Sequence, residues 1–203
     1  MKLLVRVMGP VALAALVSAC SLSGMLGGGK PPAYMLTLTP EAPDPGQIVR
    51  TAGAGQAVTI GVPIVPKEIR TVRVPVQVTP TSVQYIENLQ YIDTPDRLFA
   101  GLLAETVRRT TNRVVLDPAQ AALDPGLIVN GSLQRFGYDA ASSQVIVTYD
   151  ASLSTQGGSH VETRRFTATV PADGTANTVG PAINRAANQV AGEVAQWIGS
   201  RTA

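Results

Sequence analysis

The residue with the most specific chemistry in this chain of 203 residues is Cys20. It closes the run Val17-Ser18-Ala19-Cys20: an apolar residue, two small ones, then the thiol, in the pattern of a bacterial lipobox. The pattern needs a thiol because the sulfur becomes the thioether that carries diacylglycerol. Small neighbours let the extended chain enter the processing enzymes. Cys20 is the only cysteine, so it has no internal disulfide partner, although an oxidising periplasm would permit disulfides. The competing reading is a chance cysteine in an apolar segment. Its place at the end of the apolar run, ahead of a Gly/Ser stretch, argues against that.

The other reactive types do not assemble into a site. The single histidine, His160, falls at the tip of an expected hairpin, with no second ligand or orienting group converging on it in the pattern. Glu87, Asp93, Asp96, Glu105, Asp117, Asp124, Asp139 and Asp150 are scattered beside Pro, Gly or strand ends, without the spacing of a carboxylate pair. Gly27-Gly28-Gly29-Lys30 lacks the spaced glycine and the following Ser/Thr of a phosphate loop. Asn130-Gly131-Ser132 matches a glycosylation sequon, but it lies inside an expected strand of a bacterial-type protein. The sequence therefore predicts no catalytic residues, no metal ligands and no cofactor beyond a covalent lipid on Cys20. It reads as a non-enzyme.

The chain around Cys20 divides into three parts. Residues 1–19 have the form of an export signal: Lys2 and Arg6 at the positive end, a mostly apolar run over Val7 to Val17, then Ser18-Ala19 for cleavage. The apolar stretch is too short for a comfortable membrane-spanning helix, and Gly9-Pro10 would weaken a continuous one. Residues 20–32 have linker composition, SLSGMLGGGKPP after the cysteine. Residues 33–203 read as a single periplasmic domain. Ser21 after the cysteine fits outer-membrane sorting, whereas Asp there would suggest retention at the inner membrane. Several acyl chains make a stable anchor, since each buried methylene contributes about 0.8 kcal/mol and one chain alone is marginal.

The formal charge of +2 is a property of the precursor. Lys2 and Arg6 are two of the 16 basic residues, and without them 14 remain against 14 acidic ones. A mature chain near neutrality, with aromatics at only 4%, has neither the basic surface nor the stacking platforms of a nucleic-acid reader. Apolar residues at 45% and charged ones at 15% are enough for a folded core, built mainly from Val, Ala, Leu and Ile.

In the folded part, Tyr34 to Leu38 alternates imperfectly and leads into a Pro/Gly-rich loop from Thr39 to Gly55. Val58 to Val65 reads as a buried strand, and Ser82 to Glu87 with Leu89 to Ile92 as a short strand or hairpin. Thr94-Pro95-Asp96 opens a helix with Leu98, Phe99, Leu102, Leu103, Thr106 and Val107 on one face. Glu105 can pair with Arg109, and Arg108-Arg109 suit a solvated helix end. Arg113 to Leu116 is a short strand. Leu127 to Tyr138 alternates, with a phase shift that predicts a bulge at Gln134-Arg135. Gln144 to Ser154 and Thr163 to Val170 alternate strictly about a Gly-rich turn at Gln156 to His160. A second amphipathic helix runs from about Pro181 to Ile198. This order predicts an α+β fold: a mixed, mainly antiparallel sheet covered on one face by two amphipathic helices.

One segment suggests a surface for partners. Val72 to Val78 alternates like a strand, but Pro75 removes a ladder donor, which predicts a sheet edge or extended arm. Arg70, Arg73, Val74 and Val76 are then the candidate partner-binding residues. The valines would accept a partner strand or a neighbouring copy, and the arginines would orient an acidic partner. An internal strand covered by the protein's own helices is the alternative.

The ordered elements resemble the family of ABC-type transport auxiliary lipoproteins. The resemblance runs over essentially the whole mature chain. It rests on Cys20, Tyr34-x-Leu36, Ile60-x-Val62-x-x-Val65-x-x-x-Ile69 and Val83-x-Tyr85 leading to Tyr91-x-Asp93. It continues through Leu133-x-x-Phe136-x-x-Asp139, Arg165-Phe166 and Ala182-x-Asn184-x-Ala186-Ala187-x-x-Val190-Ala191, ending at Trp197. Tyr91 stands where the family usually has Trp before the first helix, and it reads as a substituted packing residue. The resemblance implies an accessory lipoprotein of an intermembrane transport system for phospholipid or related hydrophobic molecules. Its implied partners are an ATPase, a permease and a tunnel protein carrying mammalian-cell-entry domains, at the periplasmic face of the outer membrane. A homo-oligomer is compatible with it. A pilot or assembly factor for another envelope machine, or a periplasmic hydrolase, are the readings from other classes.

The lipobox makes a direct prediction. Intact-protein mass spectrometry of membrane-extracted protein should show cleavage after Ala19 and added acyl mass on Cys20. A mature chain beginning elsewhere, or an unmodified thiol, would refute it.

Overall fold

A computed structural model describes residues 34–124, 126–155 and 160–201. The elements run β1 (Met35–Leu36), β2 (Val58–Ile60), β3 (Arg73–Thr79), β4 (Ser82–Tyr91), α1 (Pro95–Thr110), β5 (Val115–Leu116), β6 (Leu127–Asp139), β7 (Gln144–Ser154), β8 (Val161–Pro171) and α2 (Ala176–Gly199). The eight strands form one sheet. Its long ladders, β6–β7, β7–β8 and β3–β4, are antiparallel, and the short strands join in parallel. The α+β reading holds.

The β7–β8 hairpin follows from strict alternation. Val145, Val147, Tyr149, Ala151 and Leu153 of β7 are buried, as are Phe166, Ala168 and Val170 of β8. Between them lie Thr, Ser and charged residues, so only one face of the sheet is covered. The predicted bulge in β6 is present as a register shift between Leu133 and Arg135. It brings both Leu133 and Phe136 into the core although they are an odd number apart.

The sheet forks at β6. One flank of this strand pairs with β7 along its whole length. The other is shared: β2 pairs with Leu127 to Val129, Ile64 bridges to Ser132, and β3 pairs with Tyr138 and Asp139. Beyond β2 lies β5, and beyond β3 lie β4 and β1. The expected strand from Val58 to Val65 is therefore shorter than its composition suggests. After Ile60 the chain meets Gly61, Pro63 and Pro66, and Val62 and Ile64 turn to the surface. The segment Ser82 to Tyr91 is one strand rather than two, interrupted by a bulge with Asn88 at φ 57°.

Helix α1 begins as expected after Thr94, with Pro95 in the first turn. The Thr94 side chain makes no cap hydrogen bond; instead the Thr94 N–H donates to the Asp93 carboxylate at 2.7 Å. Glu105 accepts from Arg109 at 2.8 Å. Helix α2 starts five residues ahead of Pro181. Asp173 precedes it and accepts from the Thr175 N–H at 2.9 Å, the Thr175 hydroxyl at 2.7 Å and the Thr178 hydroxyl. These bonds, led by the Thr178 hydroxyl, hold the Asp173 carboxyl down at about 2. Pro181 is tolerated inside the helix, on its exposed side.

Aromatic rings join the layers. Phe99 of α1 lies 5.1 Å from Tyr149 of β7 and 6.4 Å from Phe136 of β6, which in turn lies 5.8 Å from Tyr91 of β4. All four are fully buried. Tyr91 thus has the packing role expected of it. Burial without a hydrogen-bond partner pushes the Tyr91 and Tyr149 hydroxyls far above the ordinary phenol range.

At the other end of α2, Trp197 is 5% exposed and stacks 5.6 Å from Phe166 of β8. Truncating a buried Trp to Ala removes about 3–5 kcal/mol, a large share of the roughly 5–15 kcal/mol of a typical domain. Trp197→Ala should lower the melting temperature by many degrees in a thermal scan. Unchanged stability combined with lost partner binding would instead make the α2 stripe an interface.

Candidate docking surfaces

The candidate residues named from the sequence separate in space. Cys20 lies outside the described residues. The expectation that Val74 and Val76 line a free edge is corrected by the sheet: β3 is internal, with β4 on one side and β6 on the other. Val74 is fully buried and Val76 packs on the core. The reason lies in β6. A Cβ on Gly137 would sit 2.4 Å from the Pro75 carbonyl oxygen and 2.8 Å from its ring. The bare glycine thus lets a proline enter an internal strand. Arg70 and Arg73 remain at the surface. Arg70 donates to the Val65 carbonyl at 3.1 Å, and the Arg73 guanidinium lies 4.1 Å above the Tyr85 ring.

His160 is exposed and lies 3.1 Å from Glu162, which also pairs with Arg201 at 2.6 Å. Among the described residues no three His, Cys, Asp or Glu side chains are placed to hold a metal ion. A wide-open cleft of about 680 Å³ at the C-terminal ends of both helices is lined by Gln56, Thr110, Arg113, Gln196 and Arg201. The Arg113 guanidinium there donates to the Gln56 and Arg201 carbonyls and so fastens backbone to backbone. Asp124 likewise fastens backbone, accepting the N–H groups of Gly55 and Ala57 at 2.8 and 3.0 Å. The Ala57 bond is the largest cause holding its carboxyl below the usual range.

The loop from Thr39 to Gly55 is a strap over the helical layer. Asn184 accepts the Thr39 N–H at 2.9 Å. Asn188, one turn on, accepts the Glu41 N–H at 2.8 Å and donates to the Thr39 carbonyl at 2.9 Å. Arg109 of α1 donates to the Ala42 carbonyl, and Arg50 donates to the Arg113 carbonyl. Reading the sequence for chemistry missed this clamp. Its signal was there: two asparagines four residues apart, on a flank of a helix otherwise rich in Ala and Val. Asn188 is 8% exposed, so its amide needs these partners.

Among the described residues the longest free edge is β8. The Thr155 N–H donates to the His160 carbonyl and the Ala172 N–H to the Ser143 carbonyl. These two pairs bracket the β7–β8 ladder and fix its phase. With the registered pairs Ser154↔Val161 to Gln144↔Pro171 between them, hydrogen-bonded and open pairs alternate. Val161, Thr163, Arg165, Thr167 and Thr169 then fall at open pairs, with their N–H and C=O groups turned away from β7. The outer face beside this edge is polar. It is braced by Arg165, which grips Asp150 with two bonds of 2.6 and 2.7 Å and holds its carboxyl low.

Among the described residues no helix is long and apolar enough to cross a membrane. A family model described as ABC-type transport auxiliary lipoprotein component matches residues 36–195, from β1 into the last turns of α2. No curated protein matches the chain. Two crystal structures share its fold. A Xanthomonas campestris protein of the DUF330 family has 18% identity and a TM-score of 0.64, with 83% of this chain and 92% of that one covered. A second, from a protein titled as uncharacterized, has 13% identity and a TM-score of 0.58, covering 74% and 96%.

The clamp can be tested on its own. Asn188→Ala removes both contacts to the strap and should accelerate hydrogen exchange at the Glu41 amide by at least an order of magnitude, leaving β7 amides protected. Equal protection in the variant would show that the strap is held otherwise.

Proposed function

Because the chain belongs to the family of ABC-type transport auxiliary lipoproteins, we propose that it is the non-catalytic docking component of an intermembrane lipid transport system. In this reading Cys20 carries the acyl chains, and the domain hangs at the periplasmic face of the outer membrane. Its partners are a tunnel protein with mammalian-cell-entry domains and, through it, the permease and ATPase. The cargo is phospholipid or a related hydrophobic molecule.

The observation that carries the reading is the family match over 160 consecutive positions, residues 36–195. One feature of the molecule supports it: β8 offers outward-facing backbone groups along most of an eleven-residue strand, which is what strand addition by a partner requires. Docking by that route takes over from the β3 edge, since β3 has no free side where it meets β4 and β6.

The lipidated protein, extracted in mild detergent, should bring down the tunnel protein, permease and ATPase. Thr167→Pro deletes one outward donor of β8 without removing a backbone bond to β7, giving up only the 3.2 Å bond of the Thr167 hydroxyl to Thr148, so it should keep the circular dichroism spectrum and reduce that recovery severalfold. Full recovery by a folded Thr167→Pro would remove β8 from the docking surface. Recovery of no transport subunit by the wild-type protein would overturn the function itself.

A further inference from the structure

The outer sheet face is not uniform. Around β7 and β8 it is mainly polar, with Val161 exposed at the start of β8, but at the opposite end of the sheet Tyr34 is 86% exposed, Met35 48% and Ile92 62%. Met35 and Ile92 are brought together by a parallel ladder of two pairs, and Tyr34 is next to Met35 in the chain. Met35 is in register with Gln90, Leu36 with Tyr91, and the Ile92 N–H donates to the Leu36 carbonyl at 2.8 Å. Since Tyr91 and the half-buried Leu36 face the core, Met35, Gln90 and Ile92 share the outer face. Arg73, in register with Gln90 from the other side, joins the same row. It lies over Tyr85 and forms no ion pair among the described residues.

We infer that Tyr34, Met35, Ile92 and Arg73 form a membrane-seating surface that rests on the phospholipid headgroups beside the anchor. The inference rests on acylation of Cys20 for its location. Thirteen residues separate Cys20 from Tyr34, and a run of that length reaches about 45 Å at most. The chain therefore keeps this patch, the first part of the described domain, within reach of the bilayer. The composition suits the interface. A tyrosine places its ring among acyl carbons and its hydroxyl in water, two aliphatic side chains add apolar area, and an arginine can keep its head at phosphate level. The patch is too small to hold a protein on a membrane alone, so it sets orientation while the acyl chains supply affinity. With the membrane at the β1 edge, the free β8 edge is at the opposite border of the sheet, open to a partner.

The test uses the full acylated protein in vesicles of phosphatidylethanolamine and phosphatidylglycerol, with acylation verified by mass. Met35→Trp and Val161→Trp report the two ends of the sheet against the constant background of buried Trp197. The Met35→Trp emission should shift to the blue, and lipids brominated on their acyl chains should quench it severalfold more than Val161→Trp. Equal, water-like emission at both positions would overturn the proposal. So would a blue shift without bromine quenching, which would mean that protein covers the patch. If the mass shows no acyl group, the anchoring reading fails separately. The same two variants added to the vesicles then decide the patch by the same criteria.

Discussion

Along one flank of β6 the backbone hydrogen bonds are divided between two neighbours, and a single stretch of chain supplies both. Leu127 donates to the Ala57 carbonyl, Gly61 and Ile64 donate to Val129 and Gly131, and Leu133 donates back to Ile64. After the turn at Pro66 to Arg70, Ala140 donates to Gln77. The excursion between these contacts lets β5 sit outside β2 and β4 outside β3. Two glycines of β6 make close approaches possible on its two flanks: Gly137 against Pro75 of β3, and Gly131, where a Cβ would meet the Tyr149 ring and the Asp150 carbonyl of β7. A larger residue at Gly137 would push β3 away from the fork, and one at Gly131 would push β7 away.

The fork determines the arrangement of everything above and beside it. The ring cluster of Phe99, Phe136, Tyr149 and Tyr91 packs α1 onto β4, β6 and β7. Non-local pairing dominates, because β2 and β3 must find a strand more than sixty residues later in the chain. Among the described residues the sheet ends on three strands, β1, β5 and β8, and two of these borders are unlike: β1 is short and parallel, β8 long and antiparallel.

The sequence revealed what is encoded locally. Period-two alternation located β7 to the residue and β8 to within two, and the phase break in β6 announced its bulge. The α1 start was written in Thr94-Pro95, and the Trp197 stripe was legible as core. Where a distant residue decides the outcome, the pattern misled. Pro75 reads as an edge until Gly137 is known to lie opposite, and Pro181 reads as a helix start until Asp173 is seen to organise an earlier one. The strap was visible only as a Pro/Gly-rich loop, because its order comes from asparagines nearly 150 residues away. Of the candidate partner residues, the two arginines lie at the surface and the two valines do not, a difference that alternation alone cannot express. Cys20 was the reverse case, a local motif whose meaning is chemical and needs no fold.

The strap also gives the domain a mechanical character. A pull arriving through the chain upstream of Tyr34 first meets β1, which has only two registered pairs. Next in line are the bonds of Asn184 and Asn188, then those of Arg109 and Arg50. Only after these does the load reach β2 and the fork. The twenty residues between Leu36 and Ala57 have a full contour of roughly 70 Å. The domain thus carries a reserve of length on its N-terminal side, and stretching from there can draw on it before the core bears any force.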